Sequence, residues 1–257
     1  MELFVFLDLD DTIFQTQRKC PTDVAITPAS FAIDGSPISF FTPKQQRFFN
    51  LLSDKTHLIP TTARDKDAFS RTNVQKYDYA IINHGGIILN ADGSCHQGWF
   101  THTKKTLAGF LHHLQHLEKM LHNEAIKRNI DLKIRLIRDM SITFYCLVKQ
   151  KDHNYQALTL LLIEVVEPYL KAQNLDFYCH LNDNNLAILP RCLNKAPAVK
   201  FLQQQLNQQY ADYLSFGIGD SVTDMPYMQL CDYFMTPKNS QIIREGFNQA
   251  HLMTAEV

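Results

Sequence analysis

This chain has few of the features that would tie it to a disulfide scaffold, a zinc module or a membrane. Its six cysteines, Cys20, Cys95, Cys146, Cys179, Cys192 and Cys231, form no Cys-x-x-Cys pair. Scattered free thiols in a reduced, cytoplasmic setting therefore fit better than a disulfide framework or a zinc cluster. Charge of one sign is also missing: 25 Lys and Arg against 26 Asp and Glu leave a net charge of -1. That balance gives no reason to expect nucleic acid or an anionic membrane as partner. Long hydrophobic runs are absent too. The N-terminal apolar stretch has no basic region before it and breaks at Asp8, so it reads as neither signal peptide nor membrane span. Leu158–Val166 is apolar but too short to span, and is bounded by Asp152 and Glu167. What is present is ordinary globular composition over 257 residues, enough for one large core or two modest ones. The expected state is a monomer or a homodimer.

The stretch around which the chain is organised is Leu3-Phe4-Val5-Phe6-Leu7-Asp8-Leu9-Asp10-Asp11-Thr12. Five apolar residues read as a strand buried on both faces, as in a parallel sheet, with carboxylates following at once. Asp34-Gly35, between Ser30–Ile33 and Ile38–Phe41, reads as a hairpin turn. Pro43–Ser53 reads as a helix, Thr56–Thr61 as a strand, a helix follows from about Asp65, and Tyr79–Ile82 reads as a third parallel strand. After Asn83-His84-Gly85-Gly86 the rhythm changes. A long helix from about Lys104 to Arg128 precedes Leu132–Ile137 and Ser141–Val148; another, from about Asp152 to Ala172, precedes Leu175–His180 and Asn185–Leu189. Helix-strand-strand given twice builds an antiparallel sheet with helices on one face. The α/β rhythm resumes with a helix carrying Pro197 in its first turn, the strand Leu214–Ile218, a strand near Tyr233–Met235 and a final helix near Ser240–Phe247. The expectation is an α/β core domain over 1–84 and 190–257, with an inserted α+β module over 85–189.

Three presumed parallel strands end in polar groups: Asp8 and Asp10, Thr61 and Thr62, and Asp220 with Asp224. Lys195 opens a helix between the second and the third. Carboxyl ends of parallel strands converge on one crevice. Four carboxylates meeting there would repel one another, so a hard divalent cation is the natural counter-charge. Mg²⁺, which prefers a few carboxylates, waters and a phosphate, suits that position.

The residues reach a known pattern. Asp8-Leu9-Asp10-Asp11-Thr12 resembles the first motif of the haloacid dehalogenase (HAD) superfamily, and Thr62-Ala63-Arg64 the second, in the form used by its Cof-type and sucrose-phosphate-phosphatase-like branch. Lys195 matches the third-motif lysine and Gly219-Asp220-x-x-x-Asp224 the fourth; Asn83-x-Gly85-Gly86 looks like the turn that opens the cap. The resemblance implies a Rossmann-like parallel-sheet core with an inserted C2-type cap. It also implies roles. Asp8 would be the nucleophile, forming an aspartyl-phosphate, and Asp10 the acid and base. Thr62, Ala63, Arg64 and Lys195 would line the substrate site, with Thr62 bonding a phosphoryl oxygen and Lys195 neutralising charge. Asp8, the backbone carbonyl of Asp10, Asp220 and Asp224 would hold Mg²⁺. Thr223 departs from the branch, which usually carries Asn there, and Ala63 replaces the usual Gly. Both concern the subfamily rather than the chemistry.

Weaker signals have plainer readings. Lys200 lies a turn into its helix, so Lys195 is the better third-motif lysine. Gly217-Ile218-Gly219 lacks the third glycine of a dinucleotide fingerprint. His112, His113, His116 and His122 read as a solvated or packing face, since no His-Glu-x-x-His pattern appears. Arg64 either binds substrate or caps a neighbouring helix, and Trp99 reads as core. The expected function is a Mg²⁺-dependent phosphatase acting on a small phosphorylated metabolite, with sugar phosphate favoured by the resemblance. The alternatives are a phosphotransferase or mutase on the same scaffold, or a non-catalytic binding module that retains the fold.

Overall fold

The computed structural model describes residues 2–150, 155–182 and 184–250. Asp152, the expected start of one helix, and Asp183, between the expected strands Leu175–His180 and Asn185–Leu189, lie outside them. The chain divides into two compact units, Met1–Phe100 with Asn194–Val257, and Thr101–Leu193.

The first unit is built on β1 (Glu2–Leu7). Its residues Val5 to Leu7 are at most 1% exposed because parallel strands flank it on both sides. The hairpin β2 (Thr27–Phe31) and β3 (Pro37–Phe41) turns at Asp34-Gly35, as expected. Helix α1 (Pro43–Lys55) starts at a capping box: Thr42 accepts from the Gln45 amide, the Gln45 side chain returns the bond, and Pro43 fills the first position. β4 (His57–Pro60) follows, then the short α2 (Lys66–Ser70), capped by Asp65. β5 (Tyr79–Ile82) lies parallel to the end of β4 through the bridge Thr61–Ile81, as expected, and on its other side pairs antiparallel with β6 (Ile87–Asn90). Four residues between the two strands are too few for a crossover, so the chain folds back as a hairpin.

In the second unit the expected helix from Lys104 divides. Helix α3 (Gln97–Ala108) ends before Gly109-Phe110, and α4 (Leu111–Arg128) restarts after it. Glycine there lowers helix propensity by about 1 kcal/mol. The sheet consists of β7 (Leu132–Asp139), β8 (Ile142–Gln150), β9 (Phe177–Asn182) and β10 (Asn185–Pro190) in the antiparallel order β7-β8-β10-β9. Between β8 and β9 run α5 (Tyr155–Leu161), a π turn at Leu162–Val166 and α6 (Glu167–Ala172). Pro168 has no amide hydrogen for the preceding turn, which accounts for the widened helix. Leu114, Leu117 and Leu121 of α4 pack with Val148, Leu158, Leu186 and Ile188 in this unit's core.

The chain returns to the first unit with α7 (Lys195–Gln209), β11 (Tyr213–Ile218), α8 (Met225–Met228), β12 (Tyr233–Met235) and α9 (Gln241–Ala250). The order β12-β11-β1-β4 is parallel throughout. Phe4, Phe6, Ile59, Trp99, Val199, Leu202 and Tyr227 share one core. This is the expected α/β architecture with an antiparallel α+β module inserted between β6 and α7.

Among the described residues no helix is long and apolar enough to cross a membrane. All six cysteines are free, though only Cys146 is fully buried; Cys192 is exposed. Burial pushes the thiols of Cys146, Cys179 and Cys231 up to about 12, which leaves them unreactive near neutrality.

Candidate active site

The site lies at the carboxyl ends of β1, β4 and β11. The Asp8 amide donates to the Ile218 carbonyl (2.8 Å), and the Thr61 amide to Leu7 (2.7 Å), so the ladder carries Asp8 and Thr62 to one edge. The chain then turns sharply. The Ile13 amide donates to Leu9 (2.9 Å), and Asp11 takes a left-handed φ of 61°. The turn brings the Thr12 hydroxyl 2.8 Å from Asp8 Oδ2 and 3.4 Å from Asp220 Oδ1.

Lys195 is the hub. Its Nζ donates to Asp8 Oδ1 at 2.6 Å and to Asp224 Oδ1 at 2.7 Å, with the Tyr227 ring 5.6 Å away. An ammonium in the first turn of a helix works against the helix dipole, and the two buried carboxylates offset that cost. Lys200, a turn later, is exposed. Asn194 caps α7 by accepting from the Ala196 amide (3.1 Å). Gly85 holds this helix start in place. Its φ is +94°, and a Cβ there would lie 2.2 Å from the Asn194 carbonyl oxygen. The same loop serves Thr62-Ala63-Arg64: the Asn83 amide donates to the Arg64 carbonyl (2.7 Å), and the His84 amide to Thr62 (3.2 Å). Trp99, buried as expected, donates its indole N–H to the Gly85 carbonyl (2.9 Å).

On the far side of Lys195, Asp224 Oδ2 accepts from the Ser221 hydroxyl (2.8 Å) and amide (3.1 Å). Gly219 permits this closeness, because a Cβ there would sit 2.6 Å from that of Asp224. Thr223 is exposed, and its hydroxyl pairs with that of Ser221 at 2.7 Å.

Burial pushes the Asp8 carboxyl well above the ordinary range; Lys195 pulls it down, while Asp224 and Asp220 push it further up. Asp220 is raised to about 6, chiefly by burial and then by Asp224 and Asp11. Asp224 is lowered: burial opposes its charge, but Lys195 and the Ser221 hydrogen bonds outweigh it. Asp8, Asp220 and Asp224 can each bring one oxygen within 4.8 Å of the others. All-oxygen donors with more negative than positive charge suit a hard divalent cation. The residues present therefore fit such an ion.

Asp10 stands apart from this trio. Its two oxygens accept from Arg64 Nη2 (2.7 Å) and Nε (2.8 Å). Thr62 is buried and Ala63 partly so. The histidines expected to form a solvated or packing face sit on α4: His112, His116 and His122 are exposed, His116 stacks on Tyr169 (4.9 Å between centroids), and His113 Nδ1 lies 3.1 Å from the Tyr169 hydroxyl.

Several contributors carry weak sequence signals. Thr12 belongs to the first motif, four residues after Asp8, yet nothing local says which oxygen it serves. Ser221, three before Asp224, is a plausible turn hydroxyl and no more. Tyr227, whose hydroxyl donates to Ile218 (2.6 Å), and Ser30, beside Arg64, have no signal at all.

No family model and no curated protein matches the chain. Solved structures do. The sucrose-phosphatase from Synechocystis, in complex with sucrose and phosphate, superposes with a TM-score of 0.50 at 15% identity, over 96% of this chain and 87% of that one. A trehalose-6-phosphate phosphatase related protein gives 0.50 at 13% identity over 97% of both chains. The IMP-nucleotidase of Plasmodium falciparum, an IMP-bound mutant, gives 0.57 at 14% identity, over 98% of this chain and 68% of that one. At such identities it is the fold that is shared. The chain has the α/β fold of these HAD-superfamily phosphatases, as its four motifs led one to expect.

Proposed function

We propose that this chain is a phosphoric monoester hydrolase that releases phosphate from a small phosphorylated metabolite, by way of an aspartyl-phosphate on Asp8. One observation carries the reading: a buried carboxylate fixed by Lys195 and Thr12 and flanked by two further carboxylates. Such an arrangement holds a nucleophile in a place that calls for a cation and an anionic substrate.

In the first step an Asp8 oxygen attacks phosphorus and the phosphorus–oxygen ester bond breaks. Asp10, entering this step as the carboxylic acid, gives its proton to the departing alkoxide and is left as the carboxylate that pairs with Arg64. Asp10, now a carboxylate, takes a proton from water; the water oxygen attacks the phosphorus, and the acyl-phosphate bond breaks to return Asp8. Lys195 neutralises charge beside Asp8, and the Thr62 hydroxyl bonds a phosphoryl oxygen. Asp8, Asp220, Asp224 and the Asp10 carbonyl would hold Mg²⁺. When bound, that ion offsets negative charge on the transferring phosphoryl group.

The 101–193 unit is the counterpart of the cap expected over 85–189. Sugar phosphates are the first candidates, because the structures similar in fold include a sucrose-phosphatase and a protein described as related to trehalose-6-phosphate phosphatase. Nucleoside monophosphates come second, on the IMP-nucleotidase likeness.

The test is phosphate release from a panel of sugar, polyol and nucleoside monophosphates, with Mg²⁺ and with a chelator. At least one ester is turned over, and the chelator stops it. Asp8→Asn lowers turnover by about 10³-fold or more while leaving circular dichroism unchanged. Full turnover by Asp8→Asn, or no hydrolysis of any ester, overturns the proposal. Label appearing in an isomeric ester instead of free phosphate would make the chain a mutase.

A further inference from the structure

We infer that Arg64 is a positioning residue for Asp10, and that Ser30, from the hairpin inserted after β1, completes its seat. The inference rests on the acid and base role proposed above for Asp10.

The Asp10 side chain is 47% exposed, whereas that of Arg64 is only 12% exposed. A half-exposed carboxylate on a turn ordinarily samples several rotamers. Here it is gripped at both oxygens by one planar guanidinium, at 2.7 and 2.8 Å. The paired geometry fixes the plane of the carboxylate as well as its position.

Arg64 is itself held by contacts that do not involve Asp10. Its Nη2 donates to the Ser30 hydroxyl (3.2 Å), its Nη1 to the Ala68 carbonyl (3.4 Å), and its guanidinium lies 5.3 Å from the centre of the Phe14 ring. Ser30 is wholly buried on β2. That strand is stitched to the chain after α2: the Phe31 amide donates to Arg71 (2.9 Å) and the Asn73 amide to Ala29 (2.8 Å). The hairpin thus gives the arginine a rigid wall.

Donor arithmetic separates this role from a substrate clamp. A guanidinium has five N–H groups. Two serve Asp10, one Ser30 and one Ala68. The single one left does not suffice for two-point capture of a phosphate unless the Asp10 pair breaks.

Leaving-group dependence tests the inference. An alkyl phosphate needs a proton delivered to its departing oxygen, whereas a nitrophenyl phosphate expels a stable anion without one. Because kcat/KM reports the steps up to formation of the aspartyl-phosphate, it isolates the acid. Arg64→Lys keeps the charge but loses the fork. It is expected to lower kcat/KM by about 10²-fold for glycerol phosphate and by less than about 10-fold for p-nitrophenyl phosphate. Ser30→Ala shifts the same ratio in the same direction by a smaller factor, at unchanged Tm. Equal losses on both esters, or a rise in KM alone, overturn the inference and leave the phosphatase reading standing. A wild-type chain that hydrolyses neither ester, nor any other, overturns both.

Discussion

Asp8, Asp220 and Asp224 set three carboxylates around the ammonium of Lys195. Removing charges from water costs several kcal/mol each unless partners compensate. Lys195 and the Thr12 and Ser221 hydroxyls compensate in part, and burial still pushes the Asp8 and Asp220 carboxyls up. A second residue-scale device lies far from that crevice. His57 Nδ1 is 2.9 Å from Asp78 and Nε2 is 2.9 Å from Glu2, with the ring stacked on Phe4 at 4.6 Å. Burial opposes the imidazolium, but the hydrogen bonds to the two carboxylates outweigh it and raise its pKa. A raised histidine stabilises the fold fully below its unfolded value, about 6.5, and loses that contribution as pH climbs through the higher folded value. His57→Gln should therefore be less stable than wild type at pH 6, by under about 1 kcal/mol for so open a pair. The gap should narrow toward pH 8. Thermal unfolding at the two pH values checks the sign.

Elements are held in register by a few backbone requirements, of which Gly85 is the most demanding. The loop that it ends ties Thr62 and Arg64 on one side to the start of α7 on the other. Gly85→Ala places a methyl against the Asn194 carbonyl and enforces a left-handed backbone on a residue that resists it. The expected cost is about 2–3 kcal/mol of stability. Phosphate release should fall by more than the change in folded fraction, because Lys195 moves with its cap. Denaturant unfolding and turnover at a temperature where the variant is still folded separate the two effects. Element boundaries in the sequence were legible where prolines and turns spoke for themselves, as at Pro43, Asp34-Gly35 and Pro197. They were not legible at Gly109, where the helical pattern continues across the break. The pairing of Tyr79–Ile82 with β6 was not legible either, because a short apolar strand looks the same whether or not it also forms a hairpin.

At the scale of the whole molecule, the carboxylates that make up the crevice come from the two ends of the chain, so a cation held between them couples binding to folding. Saturating Mg²⁺ should raise Tm by on the order of 5 °C, since binding at 100 times Kd adds about 2.7 kcal/mol. Asp220→Asn should blunt that shift. Differential scanning measures it without any substrate, and an unchanged Tm across a Mg²⁺ titration of the wild type would remove the metal from the proposal.

By itself the sequence determined the local matters: the apolar strand before Asp8, the alternation of strands and helices, the inserted helix-strand-strand pairs, and the short motifs bearing Asp8, Thr62, Lys195 and Asp220. Periodicity, caps and turn chemistry are properties of neighbouring residues and can be read from them directly. Only the tertiary structure decided which side chains meet. Lys195 reaches Asp8 across 187 positions, Arg64 takes Asp10 across 54, and Ser30 meets Arg64 across 34. Long polar side chains choose partners from whatever distant segments the packed strands bring within about 3 Å, a distance that no local pattern encodes.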